Sequence, residues 1–214
     1  LNLAGINSLF DIGANTGQFA REARRAGYDG QIVSFEPMRV AHDELLAVSR
    51  RDPEWVIHDR MALGDRRGEA LLNIAANSVS SSVLPMLETH TNAAPDSAYI
   101  GVESAPMHPL DDFVDHYAAL ARRNLFIKID AQGFEWQILN GAPRSLEYAR
   151  GLLCELSLVP LYDGQVLWRD IVHRLDIAGY GLWAIQRGFT DPVTGQSLQF
   201  DGIFLKKTLP VWPS

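Results

Sequence analysis

Ten residues, Ser8 to Gly17 (SLFDIGANTG), constrain this chain more than any other stretch. An apolar run predicts a strand over Ser8–Ile12, and from about Thr16 to Ala26 small, polar and apolar residues recur at helical spacing. Gly13 and Gly17 lie between the two. Glycines at a strand-to-helix turn let the backbone approach a ligand, and the helix N-terminus behind them offers unpaired N–H groups. The turn also has a purely structural reading, as a tight connection with no ligand. It is not the G-x-G-x-x-G of a dinucleotide site. Gly13 and Gly17, with Asp11 in front and Asn15 between them, suit a nucleoside-thioether cofactor better than a pyrophosphate.

The same alternation continues downstream. Gln31–Glu36 reads as a strand stopped by Pro37, Val40–Ser49 as a helix and Trp55–His58 as a third strand, which begins a parallel, doubly wound sheet. Gly68–Ala75 reads as an accessory strand. Ala76–Pro106, rich in Ser, Asn, Pro and Ala, is long for a connection inside a compact domain and reads as an active-site lid. Leu110–Arg122 is predicted helical, Leu125–Asp130 a fourth main strand, Phe134–Leu139 the start of a helix and Gly151–Leu156 a fifth strand. Val166–Ala178 is the last long helix. Leu182–Gln186 and Leu198–Leu205 have no helix between them, so that pair is expected to be antiparallel. With 214 residues, 47% of them hydrophobic, the chain fits one domain over residues 1–214 with the lid inserted at about 76–106.

Composition removes several function classes. The formal charge is −7 and basic residues form no cluster, so nucleic-acid and membrane partners are not expected. The only cysteine, Cys154, excludes an internal disulfide and a thiolate zinc site, and no leader-like segment precedes the first strand, so the expected location is cytoplasmic.

Chemistry-bearing residues fall at the ends of predicted strands. Glu36 closes the second strand at the edge where open α/β sheets bind ligands, and a carboxylate there can accept both hydrogen bonds of a ribose diol. Asp59 stands where it could bond an adenine amino group, with Met61, Ala62 and Leu63 as an apolar edge; a structural role is its alternative. Glu135 is read as a helix-start residue. His90 and His108 flank the lid region and are candidate bases. Tyr162, in a loop after the fifth strand, is a candidate platform for a sugar face.

In order, DIGANTGQF, SFEP, MALGDRRG, PLDDF, KIDAQGFEWQILNGA, CELS and LQFDGIF resemble the FkbM-type family of S-adenosylmethionine-dependent methyltransferases over nearly the whole chain. The resemblance implies a class I methyltransferase Rossmann-like α/β fold: a mostly parallel seven-stranded sheet with one antiparallel strand near the C-terminus and helices on both faces. It also implies methyl transfer from S-adenosylmethionine to a hydroxyl of a small-molecule or oligosaccharide acceptor, a sugar or glycosylated metabolite. Asp11, Gly13, Asn15, Gly17, Glu36, Asp59, Ala62 and Asp130 are then the expected cofactor residues. The oligomeric state is left open, a homo-oligomer included.

Topology adds one expectation. Asp130 and Glu155 end parallel strands, and Asp201 opens an antiparallel one, so the three carboxylates meet at one edge. Such a cluster repels itself unless protons or a cation intervene, and oxygen ligands suit Mg²⁺, which would assist hydroxyl deprotonation with Asp130 and Glu155 as catalytic groups. The alternative places Asp130 on cofactor or substrate, pairs Glu155 with Arg169 or Arg187 and leaves Asp201 capping a turn. Related metal-dependent enzymes often place a base at the position occupied here by Gly133. Rival functions are a nicotinamide-dependent dehydrogenase and a cofactor-binding partner without catalysis.

Overall fold

The computed structural model describes residues 5–117 and 124–212. Strand β1 (Ser8–Ile12) is buried along its whole length because it lies at the middle of a sheet covered on both faces. It pairs in parallel with β2 (Gln31–Phe35) on one side and β7 (Leu125–Ile129) on the other. Beyond β2 lies β3 (Trp55–Ile57); beyond β7 lies β8 (Ala149–Ser157), also parallel. The last two strands, β9 (Tyr180–Arg187) and β10 (Gln199–Lys206), form the expected antiparallel pair, with β10 inserted between β8 and β9. The order is β3-β2-β1-β7-β8-β10-β9, with β10 the reversed strand. Chain direction across the sheet switches between β1 and β7, and a switch point opens a crevice at the carboxyl ends of its two strands.

Helices cover both faces. On one, Ala20 and Ala23 of α1 (Gln18–Arg25) and Leu45 of α2 (Arg39–Ser49) pack on Leu9, Ile32, Phe126 and Leu153. On the other, Ile127, Ile129, Leu152 and Cys154 meet Ile138 and Leu139 of one helix (Glu135–Asn140), Leu146 of the next (Pro143–Tyr148) and Ile171 and Leu175 of the last (Trp168–Ile177). Alternate residues of β7 and β8 thus serve opposite cores, which is why these strands read as unbroken apolar runs. No helix among the described residues is long and apolar enough to cross a membrane.

Two expectations need correction. The segment read as a lid is only partly a loop: Tyr99–His108 is strand β6, which joins β4 (Ala62–Leu63) and β5 (Gly68–Ala75) in a second, three-stranded sheet. Its alternation was hidden by Gly101, Ser104 and Pro106, and by the exposure of Ile100 and Val102. The helix expected from Leu110 begins as a 3₁₀ turn over Leu110–Asp112, and residues 118–122 of that prediction lie outside the described residues. Asp111 instead caps the start of a distant helix: its carboxylate accepts the Arg144 and Ser145 amides, each at 2.8 Å.

Candidate active site at the carboxyl edge of the sheet

A cavity of about 760 Å³ opens at the switch point, walled by the loops after β1, β2 and β7. Its first end is mostly backbone. Gly13 holds φ +70°, and a Cβ there would stand 1.8 Å from the main-chain oxygen of Asp130, so only glycine lets the loops after β1 and β7 touch. The amides of Gly13 and Ala14 both donate to Phe35 O at 3.1 Å, and Asn15 follows at φ +47°. Glu36 fastens this turn to β2: its Oε2 accepts the Asn15 amide at 2.7 Å and its Oε1 the Met38 amide at 2.8 Å. Each oxygen keeps a lone pair for another donor. Burial pushes the Glu36 carboxyl up to about 7, against the pull of those two amides and of Lys128. Met61, Ala62 and Leu63 form the expected apolar wall.

Lys128 lies beneath this end. Its Nζ donates to the carbonyl oxygens of Ile12 at 3.1 Å and Gly13 at 2.7 Å, and stands 3.2 Å from Asp11 Oδ1 and 3.7 Å from Asp130 Oδ2. Two of the three ammonium protons go to the carbonyls, and the group meets the buried Asp11 carboxylate as an ion pair. The sequence reading passed over Lys128 as a site residue. A lysine inside an apolar strand (LFIKID) was the available signal, since a buried ammonium needs partners.

The second end gathers the three predicted acids. Asp201 faces Glu155 across the β10–β8 pairing, and Asp130 lines the cavity with Asp201. Gln132 comes between them: its Nε2 lies 2.9 Å from both Asp130 Oδ1 and Glu155 Oε2. Gln199 donates to the same Glu155 oxygen at 2.8 Å. The donor set expected for Mg²⁺ is therefore corrected: amide protons occupy the facing lone pairs of Asp130 and Glu155. No group of three His, Cys, Asp or Glu side chains among the described residues is arranged to hold a metal ion. Nor does Glu155 pair with Arg169 or Arg187, because the two glutamines satisfy it. Burial, then the charges of Asp130, Glu135 and Asp201, raise the Glu155 carboxyl well above the usual range. Burial, then Asp130, raise Asp201 to about 6.

Other candidates lie elsewhere. Asp11 and Gly17 shape the site without lining it. Asp11 is buried and takes the Ser34 hydroxyl at 3.3 Å, while a Cβ on Gly17 would meet Trp55 at 2.6 Å. Asp59 lines a separate cleft with His58, Asp112 and His116, because the chain after β3 turns away before Met61. His90 is buried against Tyr162 and Phe189, and burial lowers its ring to about 4. His108 ends β6 beside Asp112, 3.3 Å away, outside the cavity. Neither histidine lines the cavity where the base was expected. Tyr162 is fully buried, its hydroxyl 2.8 Å from Gln132 Oε1, and so offers no stacking face. Glu135 does start its helix, its Oε1 accepting the Ala131 and Gly133 amides at 2.9 and 3.2 Å. Of the lid region, Ser78, Val79, Ser81, Ser82 and Val83 reach the cavity as a roof, anchored by Ser82 Oγ on Gln132 O at 2.6 Å.

Similarity to known proteins agrees with this architecture. No curated protein sequence is detectably similar to the chain. Among solved structures, a candidate S-adenosylmethionine-dependent methyltransferase from Listeria monocytogenes superposes with a TM-score of 0.51 at 7% identity, covering 97% of this chain and 94% of that one. Fibrillarin from Aeropyrum pernix, crystallised with natively bound S-adenosyl-L-methionine, gives 0.50 at 11% identity, covering 94% and 66%. The precorrin-6y C5,15-methyltransferase of Geobacter metallireducens gives 0.47 at 13%, covering 94% and 80%. The first two show that the fold is that of class I methyltransferases. The sequence model of the methyltransferase FkbM domain matches residues 11–182, well over half of the chain, and on that match the chain belongs to the FkbM methyltransferase family.

Proposed function

We propose that this methyltransferase uses S-adenosylmethionine to methylate a hydroxyl of a sugar, oligosaccharide or glycosylated metabolite. The observation carrying the reading is that one cavity joins a glycine turn and a diol-ready carboxylate, Glu36, to an acid-lined end, Asp130 with Asp201. The first end fits the nucleoside: the Gly13 cradle admits no Cβ, the Glu36 oxygens keep acceptor capacity, and Met61, Ala62 and Leu63 offer an apolar edge for the ring. When bound, S-adenosylmethionine supplies a methyl group activated on a sulfonium sulfur.

The chain's own work is to orient, to exclude water and to take a proton. Asp201, raised to about 6, is mostly ionised near neutrality, yet basic enough to accept a hydroxyl proton as the oxygen reacts. Asp130 lies beside it at the cavity wall. Glu155, held protonated behind Gln132, is a neutral neighbour and not a base. The Ser78–Val83 roof would close over the acceptor.

The test is incubation with S-adenosylmethionine and a panel of short oligosaccharides, read by mass spectrometry. A product heavier by one CH₂ supports the reading. Binding of S-adenosylhomocysteine without turnover on any acceptor favours a non-catalytic partner, and tight NADH binding favours a dehydrogenase.

A further inference from the structure

The loop after β7 turns at Gln132 with φ +51°, a conformation that a residue with a side chain keeps only when its surroundings hold it there. Four contacts do so. The side-chain Nε2 donates to Asp130 Oδ1 and Glu155 Oε2, both at 2.9 Å; Oε1 accepts the Tyr162 hydroxyl at 2.8 Å; and the main-chain oxygen accepts Ser82 Oγ at 2.6 Å. An amide turned by half a rotation would have the same shape but would present oxygen to the carboxylates. Two carboxylate oxygens face the NH₂, and the Tyr162 hydroxyl, which also lies 3.2 Å from Ser80 O, faces the oxygen, so this orientation is the one that gives both carboxylates a donor. Gly133 seats the turn: at φ +97° a Cβ there would lie 2.9 Å from the Tyr162 ring.

Resting on the reading of this cavity as a methyltransferase site, we propose that Gln132 is a positioning residue, which aims the Asp130 carboxylate across the acceptor end and couples that aim to the roof through Ser82. Without the amide, Asp130 Oδ1 loses its donor, and Lys128, 3.7 Å from Oδ2, is what remains to hold the group. Asp130 and Glu155 would then share a site with no N–H between them, and once Glu155 ionises as pH rises the two like charges repel. The titratable groups facing this cluster are Lys128 on β7, Glu135 at its helix start, Cys154 and Glu155 on β8, Tyr162 on the following loop and Asp201 on β10.

Crystal structures, together with thermal unfolding from about pH 5 to about pH 9, test this on the whole chain without any acceptor. In Gln132→Leu, Asp130 should leave its wild-type rotamer, and the deficit in Tm should widen with pH as the acids ionise, by roughly 3–6 °C at the alkaline end. Gln132→Leu/Glu155→Gln should follow the pH slope of Glu155→Gln alone, and Tyr162→Phe should show the Gln132→Leu trend more weakly. Should Gln132→Leu not fold, the Tyr162→Phe pair of measurements decides. An unmoved Asp130, or a Tm curve parallel to wild type at every pH as lost packing alone would give, overturns the proposal. Calorimetry with S-adenosylhomocysteine on the wild-type chain tests the underlying reading separately: absent binding removes that reading and leaves the rotamer and Tm results to judge Gln132.

Discussion

The two ends of the cavity are built by opposite means. The cradle end is backbone geometry: Gly13, Ala14 and Asn15 within one turn, pinned by Glu36 about twenty residues on. The acid end is side-chain chemistry, in which Asp130, Gln132, Glu155, Tyr162 and Gln199 come from four separate stretches of chain and are joined through amides and a hydroxyl, with Asp201 opposite Glu155 on the next strand. A site made of backbone tolerates no added atom. A site made of side chains tolerates substitution as long as its hydrogen bonds can be remade. The sharpest losses should therefore come from the cradle.

Gly13→Ala should have the largest effect. Its methyl would meet the Asp130 carbonyl at 1.8 Å in a left-handed backbone, so β1 and β7 would have to part at the switch point. Calorimetry should find S-adenosylhomocysteine binding weakened more than about a hundredfold, with a lowered Tm. Retention of wild-type affinity would break the claim that the cradle is rigid. Lys128→Met comes next, because it leaves Asp11 buried without its countercharge, at a cost of about 3–5 kcal/mol. Chemical denaturation measures this, and Asp11→Asn in the same chain should recover much of the loss.

Glu36→Gln is milder, since it keeps the shape but can face only one of the Asn15 and Met38 amides with an oxygen; affinity for S-adenosylhomocysteine should fall about tenfold. The pH dependence carries a sign that separates folding from binding. With a carboxyl raised to about 7 in the fold, the stability Glu36 contributes is fully present below its unfolded value and is lost as pH rises through 7. A ribose diol needs the ionised form, so ligand binding changes the opposite way. The rise in Tm caused by saturating S-adenosylhomocysteine should grow from about pH 6 to about pH 8 in the wild type and stay flat in Glu36→Gln.

The same contrast explains what could be read from sequence. The sheet, its reversed strand and the cradle were legible because each is local: an apolar run, a glycine turn, an acid at a strand end before Pro37. Lys128 showed only as a charge inside a strand, and Gln132 gave no sign because its role comes from Tyr162, thirty positions away, folding back onto it. His90 and His108 misled for the converse reason. Adjacency to a long loop says nothing about which way a ring faces, and one packs under Tyr162 while the other joins Asp112. The acids were placed together correctly by topology, but the amides between them were not foreseeable, since Gln132 and Gln199 carry no charge to draw notice.

Glu155→Gln should have the smallest effect, and it tests the acid end most finely. If Glu155 is protonated near neutrality, a glutamine is close to its natural state: its carbonyl oxygen can still accept from Gln132 and Gln199, and no charge is lost. The raised carboxyl means that ionising Glu155 costs the fold stability as pH rises, a cost the variant does not bear. Its Tm should match wild type near pH 5 and exceed it increasingly towards pH 9, while methyl transfer at neutral pH changes by less than about threefold. A variant that is instead less stable than wild type, most of all at alkaline pH, would mean that Glu155 works as a carboxylate. Gln132 would then be holding a charge in place, and the acid end would need a cation that the amide network does not supply.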